Sequence, residues 1–368
     1  MVKITRNLIL IGLSLVLTAA LLACGGDGLP ESSTADRAAS QPATDRGEAP
    51  GEAAASESTS TETSESIPAS GPPSAETDRV ALTASYNAMD GPNWKDSDNW
   101  LTDRPLGEWY GVTTDDLGSV IALELPDNRL SGEIPAELGQ LSNLEWLELG
   151  FNRLSGEIPA ELGQLSKLES LSLIDNDLSG TIPAELGQLS NLTTLYLSVT
   201  SLSGAIPPEL GQLSNLEYLG LDHNQLSGNI PPELGQLSSL KDLGLNDNSL
   251  TGAIPAELGQ LSNLDYLSLG YNQLSGEIPA ELGRLSRLDS MYAGGNQLSG
   301  NIPPELGQLS NLEVLQLHNN QLSGEIPAEL GQLLNLMELR LTGNNLSGAI
   351  PPELSQLPRL ELLDLDGN

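Results

Sequence analysis

Side chains suited to chemistry are few in this sequence of 368 residues, which has one Cys, two His and twelve aromatic residues. A single Cys excludes an intramolecular disulfide and any multi-Cys metal cluster. No P-loop, G-x-S-x-G or H-E-x-x-H motif occurs. Asp and Glu outnumber Lys and Arg by 50 to 15, and the net charge of −35 argues against nucleic acid, anionic membrane surfaces and acidic polymers as partners. These observations favour binding by aromatic and acidic side chains over catalysis.

A repeat of 24 residues determines where these side chains stand. One unit, starting at Leu144, reads LxxLxLxxNxLSGxIPxxLGxL, and only the slot at Thr200 lacks its Asn. The LxL phrase alternates as a short strand with one inward face. A buried Asn can satisfy backbone groups in the turn and tie neighbouring turns together. The predicted Asn ladder is Asn128, Asn152, Asn176, Asn224, Asn248, Asn272, Asn296, Asn320 and Asn344.

This unit resembles the leucine-rich repeat, in the SGxIP subtype of plant receptor ectodomains and polygalacturonase-inhibiting proteins. The resemblance covers residues 78–368. It implies an α/β repeat solenoid, a right-handed horseshoe or superhelix with a parallel β-sheet on its concave face and a helical cap at its N-terminus. Eleven strands about 4.8 Å apart would give a face on the order of 50 Å long. Such proteins recognise partners, but the fold does not name the ligand.

The N-terminus carries a targeting pattern. Residues 1–23 have a short basic start and an apolar run that read as a secretory signal. The end of this run, Leu21-Leu22-Ala23-Cys24, resembles the lipobox of bacterial lipoproteins. The resemblance implies cleavage before Cys24 and lipidation of its thiol, which would anchor the protein to a membrane. An uncleaved anchor helix and an ordinary signal with a chance Cys are the alternatives.

Three further segments follow the signal. Residues 24–76 comprise the candidate lipidated Cys and a tether poor in large apolar side chains, which we expect to be disordered with a reach of about 40 Å. Residues 77–119 are predicted to form the cap, with a helix from Asp78 to Met89. The segment from Trp109 to Thr113 resembles the end of plant-type caps. Because Thr113 replaces the Cys of the plant receptors, we expect aromatic packing to close the cap.

The repeats occupy residues 120–368, and the chain stops within a unit. This predicts either a fragment of a longer protein or an open end that pairs with a second copy. In the eighth repeat Ala293 stands where Leu is the rule, which predicts an underpacked position.

Five positions of each LxxLxLxxN phrase point outward from the predicted concave sheet, and they differ in nearly every unit. By contrast, the Glu of the xELG phrase occurs in ten of ten units and the following Gln in nine. We interpret this contrast as diversification of a binding surface. The alternative is that turn chemistry holds the outer face constant and leaves the inner face free. The 55 outward positions carry 17 acidic and 2 basic residues, which favours a neutral or cationic partner.

Seven of the twelve aromatic residues fall on these outward positions, and the other five fall in the cap. Tyr and Trp commonly anchor interfaces, although β-propensity also favours aromatic residues on strands. The predicted ligand-binding residues are Trp146, Phe151, Tyr196, Tyr218, Asp222, His223, Tyr266, Tyr271 and Tyr292.

We expect no catalysis, no cofactor and no metal. His223 and His318 would stand roughly 19 Å apart, too far to share a metal or a proton. An open sheet offers no cleft that would shift a carboxyl pKa. Asp222 and Asp247 would bind Ca²⁺ only weakly, without a loop to surround the ion.

The sequence therefore predicts an extracytoplasmic, membrane-anchored, non-catalytic protein whose concave face recognises a protein or peptide. Two other hypotheses stay open. The aromatic residues would suit stacking against sugars, which describes a glycan-binding module. Alternatively, the repeats serve as a structural scaffold that assembles with itself in the envelope.

Overall fold

The computed structural model describes residues 75–368, and this part of the chain begins with one α-helix, α1 (Ala75–Ala88). The candidate signal, Cys24 and most of the tether lie outside the described residues. Leu82 of α1 and Met89 just beyond it are fully buried. The Asp78 carboxylate accepts a hydrogen bond of 2.8 Å from the Val120 N–H, which fastens α1 to the first repeat strand.

Aromatic side chains close the cap. Trp94 contacts Trp100 edge to face with 4.8 Å between ring centroids, and Trp100 lies 5.1 Å from Trp109. Tyr86 stacks on Trp100 at 5.8 Å. The indole N–H of Trp94 donates to the Met89 carbonyl at 2.6 Å, so the ring is both packed and hydrogen-bonded. Such contacts give large apolar burial in a small segment.

The repeats build one long sheet of twelve strands. Eleven parallel strands, β2 and the even-numbered strands after it, contribute one strand per repeat, and β1 of the cap pairs antiparallel with β2. The central residue of every repeat strand from β2 to β20, such as Leu219 or Leu243, is fully buried, whereas Leu363 in the last strand is 38% exposed. In chain order the strands are β1 (Val112–Thr114), β2 (Val120–Glu124), β3 (Ser131–Glu133), β4 (Trp146–Glu148), β5 (Arg153–Gly156), β6 (Ser170–Ser172), β7 (Asp177–Leu178), β8 (Thr194–Tyr196), β9 (Ser203–Gly204), β10 (Tyr218–Gly220), β11 (Gln225–Asn229), β12 (Asp242–Gly244), β13 (Ser249–Gly252), β14 (Tyr266–Ser268), β15 (Gln273–Gly276), β16 (Ser290–Tyr292), β17 (Gln297–Asn301), β18 (Val314–Gln316), β19 (Gln321–Glu325), β20 (Glu338–Arg340), β21 (Asn345–Ser347) and β22 (Leu362–Asp364).

The odd-numbered strands from β3 onward form two further parallel sheets, which the sequence analysis missed. One has three strands, β3, β5 and β7, and the other has seven, from β9 to β21. The break between them falls in the repeat with Thr200, where a single bridge joins Thr181 to Ser203. Each outer strand contains at most one buried Leu, so no alternating apolar pattern marked it as a strand.

Short 3-10 turns form the opposite side of each repeat. In these turns the Gly packs on the next repeat: a Cβ added to Gly235 would lie 2.4 Å from the Glu257 carbonyl oxygen. Any larger residue would therefore push two repeats apart. In chain order the 3-10 turns are Gly91–Asn93, Leu106–Glu108, Ala136–Gln140, Ala160–Gln164, Ala184–Gln188, Pro208–Gln212, Pro232–Gln236, Ala256–Gln260, Ala280–Arg284, Pro304–Gln308, Ala328–Gln332 and Pro352–Gln356.

The repeating Asn side chains join successive repeats through backbone groups. The amide of Asn272 donates to the carbonyls of Leu245, Leu269 and Gly270 at 2.9–3.2 Å. Its oxygen accepts the Leu250 N–H at 2.9 Å. The same pattern of bonds occurs at Asn152, Asn176, Asn224, Asn248, Asn296, Asn320 and Asn344. The amide of Asn344 donates to two carbonyls instead of three.

Asn128, in the first slot, bonds instead to the cap. Its amide donates to the Asp96 carbonyl at 2.8 Å and its oxygen accepts the Asp96 N–H at 2.7 Å. The cap therefore takes the place of a preceding repeat. The predicted fold class, a leucine-rich-repeat solenoid with a parallel sheet and an N-terminal helix, is confirmed.

Candidate ligand-binding face

The concave face, defined as the solvent-facing side chains of the twelve-stranded sheet, has a central row of two tyrosines and one aspartate. Tyr218 on β10 pairs in register with Asp242 on β12, which pairs with Tyr266 on β14. All three point away from the fully buried leucines that follow them. The parallel register of the repeats thus places residues 24 positions apart side by side.

Two glycines lie beside this row, and neighbouring side chains cover both of them. Gly220 on β10 pairs with Gly244 on β12, and Tyr196 on β8 pairs with Gly220 from the other side. A Cβ on Gly220 would lie 2.8 Å from Cδ1 of Tyr196, and one on Gly244 would lie 2.9 Å from Oδ1 of Asp222. The Tyr196 ring and the Asp222 carboxylate therefore lie over bare backbone.

Asp222 is the most buried acid of the concave face, with 9% of its surface exposed. Its Oδ1 accepts a hydrogen bond of 2.7 Å from the Ser198 hydroxyl. Its Oδ2 is buried and accepts no hydrogen bond from any other described residue. Burial raises the pKa of the Asp222 carboxyl above its usual range, against the opposing effect of the Ser198 hydroxyl.

The pKa of the Asp242 carboxyl is also raised, and burial is again the largest cause. Burial, and after it the negative charges of Asp222, Asp289 and Asp265, raise the pKa of Asp242 to about 7. Burial likewise raises the pKa of the neighbouring Tyr266 hydroxyl. The expectation that an open sheet shifts no carboxyl pKa is therefore wrong, because side chains from adjacent repeats exclude water from these groups.

A third acid of the concave face with a raised pKa lies nearer the cap. Burial raises the pKa of Glu148 to about 7, although hydrogen bonds from Ser170 and Ser172 lower it. The Ser170 hydroxyl donates to Glu148 Oε1 at 2.7 Å. Trp146 and Glu148 lie on β4, three strands before β10 and thus roughly 14 Å from Tyr218. The structure does not bring Trp146 and Phe151 together with the central tyrosines.

The later candidates form two further contacts. Tyr266 and Tyr292 lie with ring centroids 5.4 Å apart. Tyr271 packs edge to face on His318 at 6.1 Å, with its hydroxyl 3.4 Å from Nε2 of that ring. Burial lowers the pKa of His318, so its imidazole favours the neutral form. Tyr271 is the most exposed of the predicted aromatic residues, at 57%.

His223 contacts a neighbouring acid instead of a second His. Its Nδ1 lies 3.6 Å from Oδ2 of Asp247 in the next repeat. His223, Phe151 and Tyr271 all follow their strands and have positive φ, between 51° and 59°. That conformation is uncommon for non-glycine residues, and Gly295 occupies the equivalent position in a later repeat. The turn therefore constrains these side chains in a way that the sequence pattern did not reveal.

Sequence reasoning missed the two glycines and Ser198 of this region. The available signal was the presence of Gly at the same outward strand position in consecutive repeats, Gly220 and Gly244. Within residues 75–368 no group of three or more His, Cys, Asp or Glu side chains is arranged to hold a metal ion. In the same range no helix has the length and apolar character needed to span a membrane.

Comparisons with known proteins identify the family. A profile described as a leucine-rich repeat region matches residues 219–368, and the Leucine Rich Repeat profile matches residues 143–165, 167–189 and 191–213. The chain belongs to the leucine-rich repeat proteins. A search of curated protein sequences finds no match.

Solved structures of plant leucine-rich repeat (LRR) ectodomains are similar to this LRR protein. The ectodomain of the Arabidopsis thaliana receptor kinase GASSHO1/SCHENGEN3, in complex with CASPARIAN STRIP INTEGRITY FACTOR 2, is 41% identical over 78% of this chain and 35% of its own, with a TM-score of 0.74. The Arabidopsis receptor kinase HAESA, in complex with the peptide hormone IDA and the co-receptor SERK1, is 35% identical over 78% of this chain and 49% of its own, with a TM-score of 0.71. This LRR protein thus spans between a third and a half of these receptor structures.

A plant ice-binding protein gives a more complete match. It is 33% identical over 80% of this chain and 96% of its own, with a TM-score of 0.66. The shared architecture therefore occurs in solved structures whose described ligands are a peptide hormone in one case and ice in another.

Proposed function

We propose that this LRR protein is a non-catalytic binding protein whose concave face takes an extended, neutral or cationic segment of a protein or peptide. The observation that carries the proposal is the band of half-exposed tyrosines on β8, β10, β14 and β16, set among carboxylates: Tyr196, Tyr218, Tyr266 and Tyr292. Tyrosines offer contact area at a low entropic cost, and carboxylates select against acidic partners. Receptor ectodomains of the same fold that bind peptides support this assignment.

The proposal includes the location of the protein. The similar receptor structures are ectodomains, which supports an extracytoplasmic site of action. We propose that the SGxIP-type repeats are presented by a lipid anchor on Cys24, through the segment that precedes α1. Mass spectrometry of the mature N-terminal peptide tests this, since the anchor predicts a diacylated Cys24 and an unmodified Cys24 contradicts it.

The binding test uses the intact protein and a displayed library of random peptides. We expect enriched peptides to lose affinity at least tenfold when Tyr218, Tyr266 and Tyr292 are changed to Ala. The matched control changes three exposed outer residues, Gln212, Gln236 and Gln260, to Ala. Equal affinities for the wild type and both variants would contradict the proposal. Selective binding of sugars by the same tyrosines on a glycan array would replace the peptide with a glycan.

A second candidate function is binding to ice. The specific observation is a row of identical, exposed and uncharged side chains on neighbouring strands of the seven-stranded outer sheet, Gln273, Gln297 and Gln321. The plant ice-binding protein, which the chain matches over 96% of its length, supports this candidate. Thermal hysteresis that disappears when these three residues are changed to Lys would favour it. Absence of hysteresis in the wild type would contradict it.

A further inference from the structure

An uncharged block interrupts the acidic concave face on the neighbouring strands β14, β16 and β18. It consists of the third, fifth, seventh and eighth positions of the LxxLxLxxN phrases that begin at Leu264, Leu288 and Leu312. None of these positions holds Asp, Glu, Lys or Arg. Charged residues return on the strands at either side, with Asp242 on β12 and Glu338 on β20. The block is therefore a neutral surface with charged borders.

Two rings from different repeats meet across the middle of the uncharged block. Tyr271 and His318 are 47 residues apart in the chain, and the repeat between them has Gly294 and Gly295. A Cβ on Gly294 would lie 2.5 Å from Nδ1 of His318, and one on Gly295 would lie 2.8 Å from Cδ1 of Tyr271. The two glycines thus allow both rings to lie directly against the backbone of the repeat between them.

The side chains of the block leave an aromatic surface open to solvent. Tyr271 is 57% exposed, although its ring contacts Gly295 and His318. Asn319 is also exposed, and Tyr292 is half-buried. Because packing already holds the Tyr271 ring in place, a ligand that stacks on it orders little that is mobile in the free protein. The exposed amide of Asn319 supplies both a donor and an acceptor at the edge of this surface.

The titratable group inside the block stays neutral. Burial lowers the pKa of His318, so its imidazole is uncharged at neutral pH. At the edge of the block, Asp265 accepts hydrogen bonds of 3.0 and 3.2 Å from Arg287. A charged ligand would therefore find no counter-ion within the block, whereas a neutral ligand loses no hydration of a charge by binding there.

The main chain beneath the block is already paired. The Tyr271 N–H donates to the Gly294 carbonyl at 2.9 Å, and the Gly295 N–H donates to the His318 carbonyl at 2.8 Å. An added peptide strand could not pair with these groups, so the side chains have to make the contacts. They offer an aromatic ring for C–H groups, and hydroxyl and amide groups that both donate and accept. A sugar ring matches this set, because it has an apolar C–H face and hydroxyls around its edge.

We propose that the uncharged block binds a neutral oligosaccharide, with one sugar ring stacked on Tyr271 and the chain continuing across the strands toward Asn319. The two strand spacings between these residues amount to about 10 Å, which suits a short oligosaccharide. This site goes beyond the proposed peptide function. Tyr218 belongs to the tyrosine band of that function and lies outside the block, so Tyr218 and Tyr271 distinguish the two activities.

Phe151 provides the matched comparison within the same sheet. It holds the same position of its repeat as Tyr271, and both have positive φ, 59° and 51°. The equivalent positions in the repeats at either side of Phe151 are acidic, Asp127 and Asp175, whereas Gly295 follows Tyr271. Phe151 therefore has an aromatic ring in a charged setting. Phe151→Ala should leave oligosaccharide binding unchanged.

The experiment titrates the intact protein with cellotetraose, mannotetraose and chitotetraose, with tetragalacturonate as the charged control, and follows isotope-labelled tyrosines by NMR. We expect saturable shifts with at least one neutral tetrasaccharide and none with tetragalacturonate. Tyr271→Ala should weaken binding about tenfold, because it removes the stacking surface. Tyr271→Phe keeps the ring and should cost only about threefold. Added salt should not change the affinity, since no charge is involved.

Absence of saturable shifts with all three neutral tetrasaccharides, or equal losses in Tyr271→Ala and Phe151→Ala, would overturn the inference. Loss of sugar binding in Tyr218→Ala would also overturn it, because the sugar would then occupy the tyrosine band. If Tyr271→Ala does not fold, Asn319→Ala at the exposed edge of the block replaces it, and unchanged affinity in that variant contradicts the site.

The two proposals can fail separately. Library peptides that bind and lose affinity in Tyr218→Ala, without binding of any neutral tetrasaccharide, would leave the proposed function standing and contradict only the sugar site. Sugar binding that depends on Tyr271, together with failure of all library peptides, would contradict the peptide function and retain the sugar site.

Discussion

The outer turns and the concave strands follow the same 24-residue period, but they respond differently to it. On the outer side, Gly235 faces the backbone carbonyl of Glu257 in the next repeat, so the contact itself enforces glycine. On the concave side, Gly244 faces only the end of the Asp222 side chain. Constancy of the outer glycine is thus a packing requirement, whereas the nearest backbone atom to a Cβ at Gly244 would be the Cα of Gly220 at 3.8 Å. The constancy of the exposed Gln of the outer turns has no explanation in the structure.

Residue variation among the repeats therefore has to be interpreted separately for each position of the repeat. The outer Gly supports the view that turn chemistry holds that face constant. It does not explain why tyrosines and acids gather on the central concave strands. The following predictions test the difference between the two faces, beginning with the largest expected effect.

Gly235→Ala should destabilise the protein far more than Gly244→Ala. The outer methyl group would lie 2.4 Å from a backbone oxygen, and relief requires the separation of two repeats. We expect a loss of about 2–3 kcal/mol in the free energy of unfolding for Gly235→Ala. Gly244→Ala should cost less than about 1 kcal/mol, since the Asp222 carboxylate can turn away. Urea titration followed by circular dichroism measures both, and equal losses would contradict the packing argument.

Stability should fall as the pH rises from 5 to 8. The pKa of Asp242 is raised to about 7 in the folded protein, above its value in the unfolded chain, so the folded state holds the proton more tightly. The stabilisation is fully present below the unfolded pKa and is lost as the pH passes the folded pKa. We expect Asp242→Asn to remove a pH-dependent difference of about 1–2 kcal/mol.

The measurement for this prediction is the melting temperature across that pH range. Glu157→Gln, on the outer face, is the control. A pH dependence that is unchanged in Asp242→Asn and removed in the control would contradict the assignment.

Thr200→Asn should stabilise the middle of the array. The Thr200 hydroxyl donates to the Leu197 carbonyl at 3.2 Å and also contacts Asn224, whereas an Asn in this slot would add an acceptor for the Leu178 N–H. We expect a gain of about 1 kcal/mol, together with pairing across the break between β7 and β9. Thermal unfolding of Thr200→Asn beside Thr200→Ala checks this, and a lower melting temperature for the Asn variant would contradict it.

Ala293→Leu should raise the melting temperature slightly. Ala293 is fully buried at the position that Leu269 and Leu317 occupy in the flanking repeats. Filling the space with Leu should contribute about 0.5–1 kcal/mol. Differential scanning calorimetry of the variant is the measurement. A clear decrease would mean that neighbouring side chains already fill the position.

Much of the fold was predictable because each repeat encodes its own local chemistry. The inward leucines and the eleven strands followed from the spacing, and the N-terminal cap followed from the resemblance to plant-type leucine-rich repeats. The outer sheets did not, because a strand such as β9 (Ser203–Gly204) is too short and too polar to show alternation. The candidate site was predicted as a set of aromatic positions, and the structure separates that set: Trp146 stands apart from Tyr218 and Tyr266, which flank Asp242.

By itself the sequence determined the period, the direction of each strand side chain and the acidic character of the concave face, since these depend on residues close together in the chain. Only the tertiary structure decided which acidic side chains are buried away from solvent. Asp222, Asp242 and Glu148 look alike in the sequence, yet stacking surrounds them with side chains from repeats 24 residues away. Two serines satisfy Glu148, while one oxygen of Asp222 keeps no donor. Burial is a property of neighbours that the chain brings together only when it folds, and for that reason this difference could not be predicted from composition or spacing.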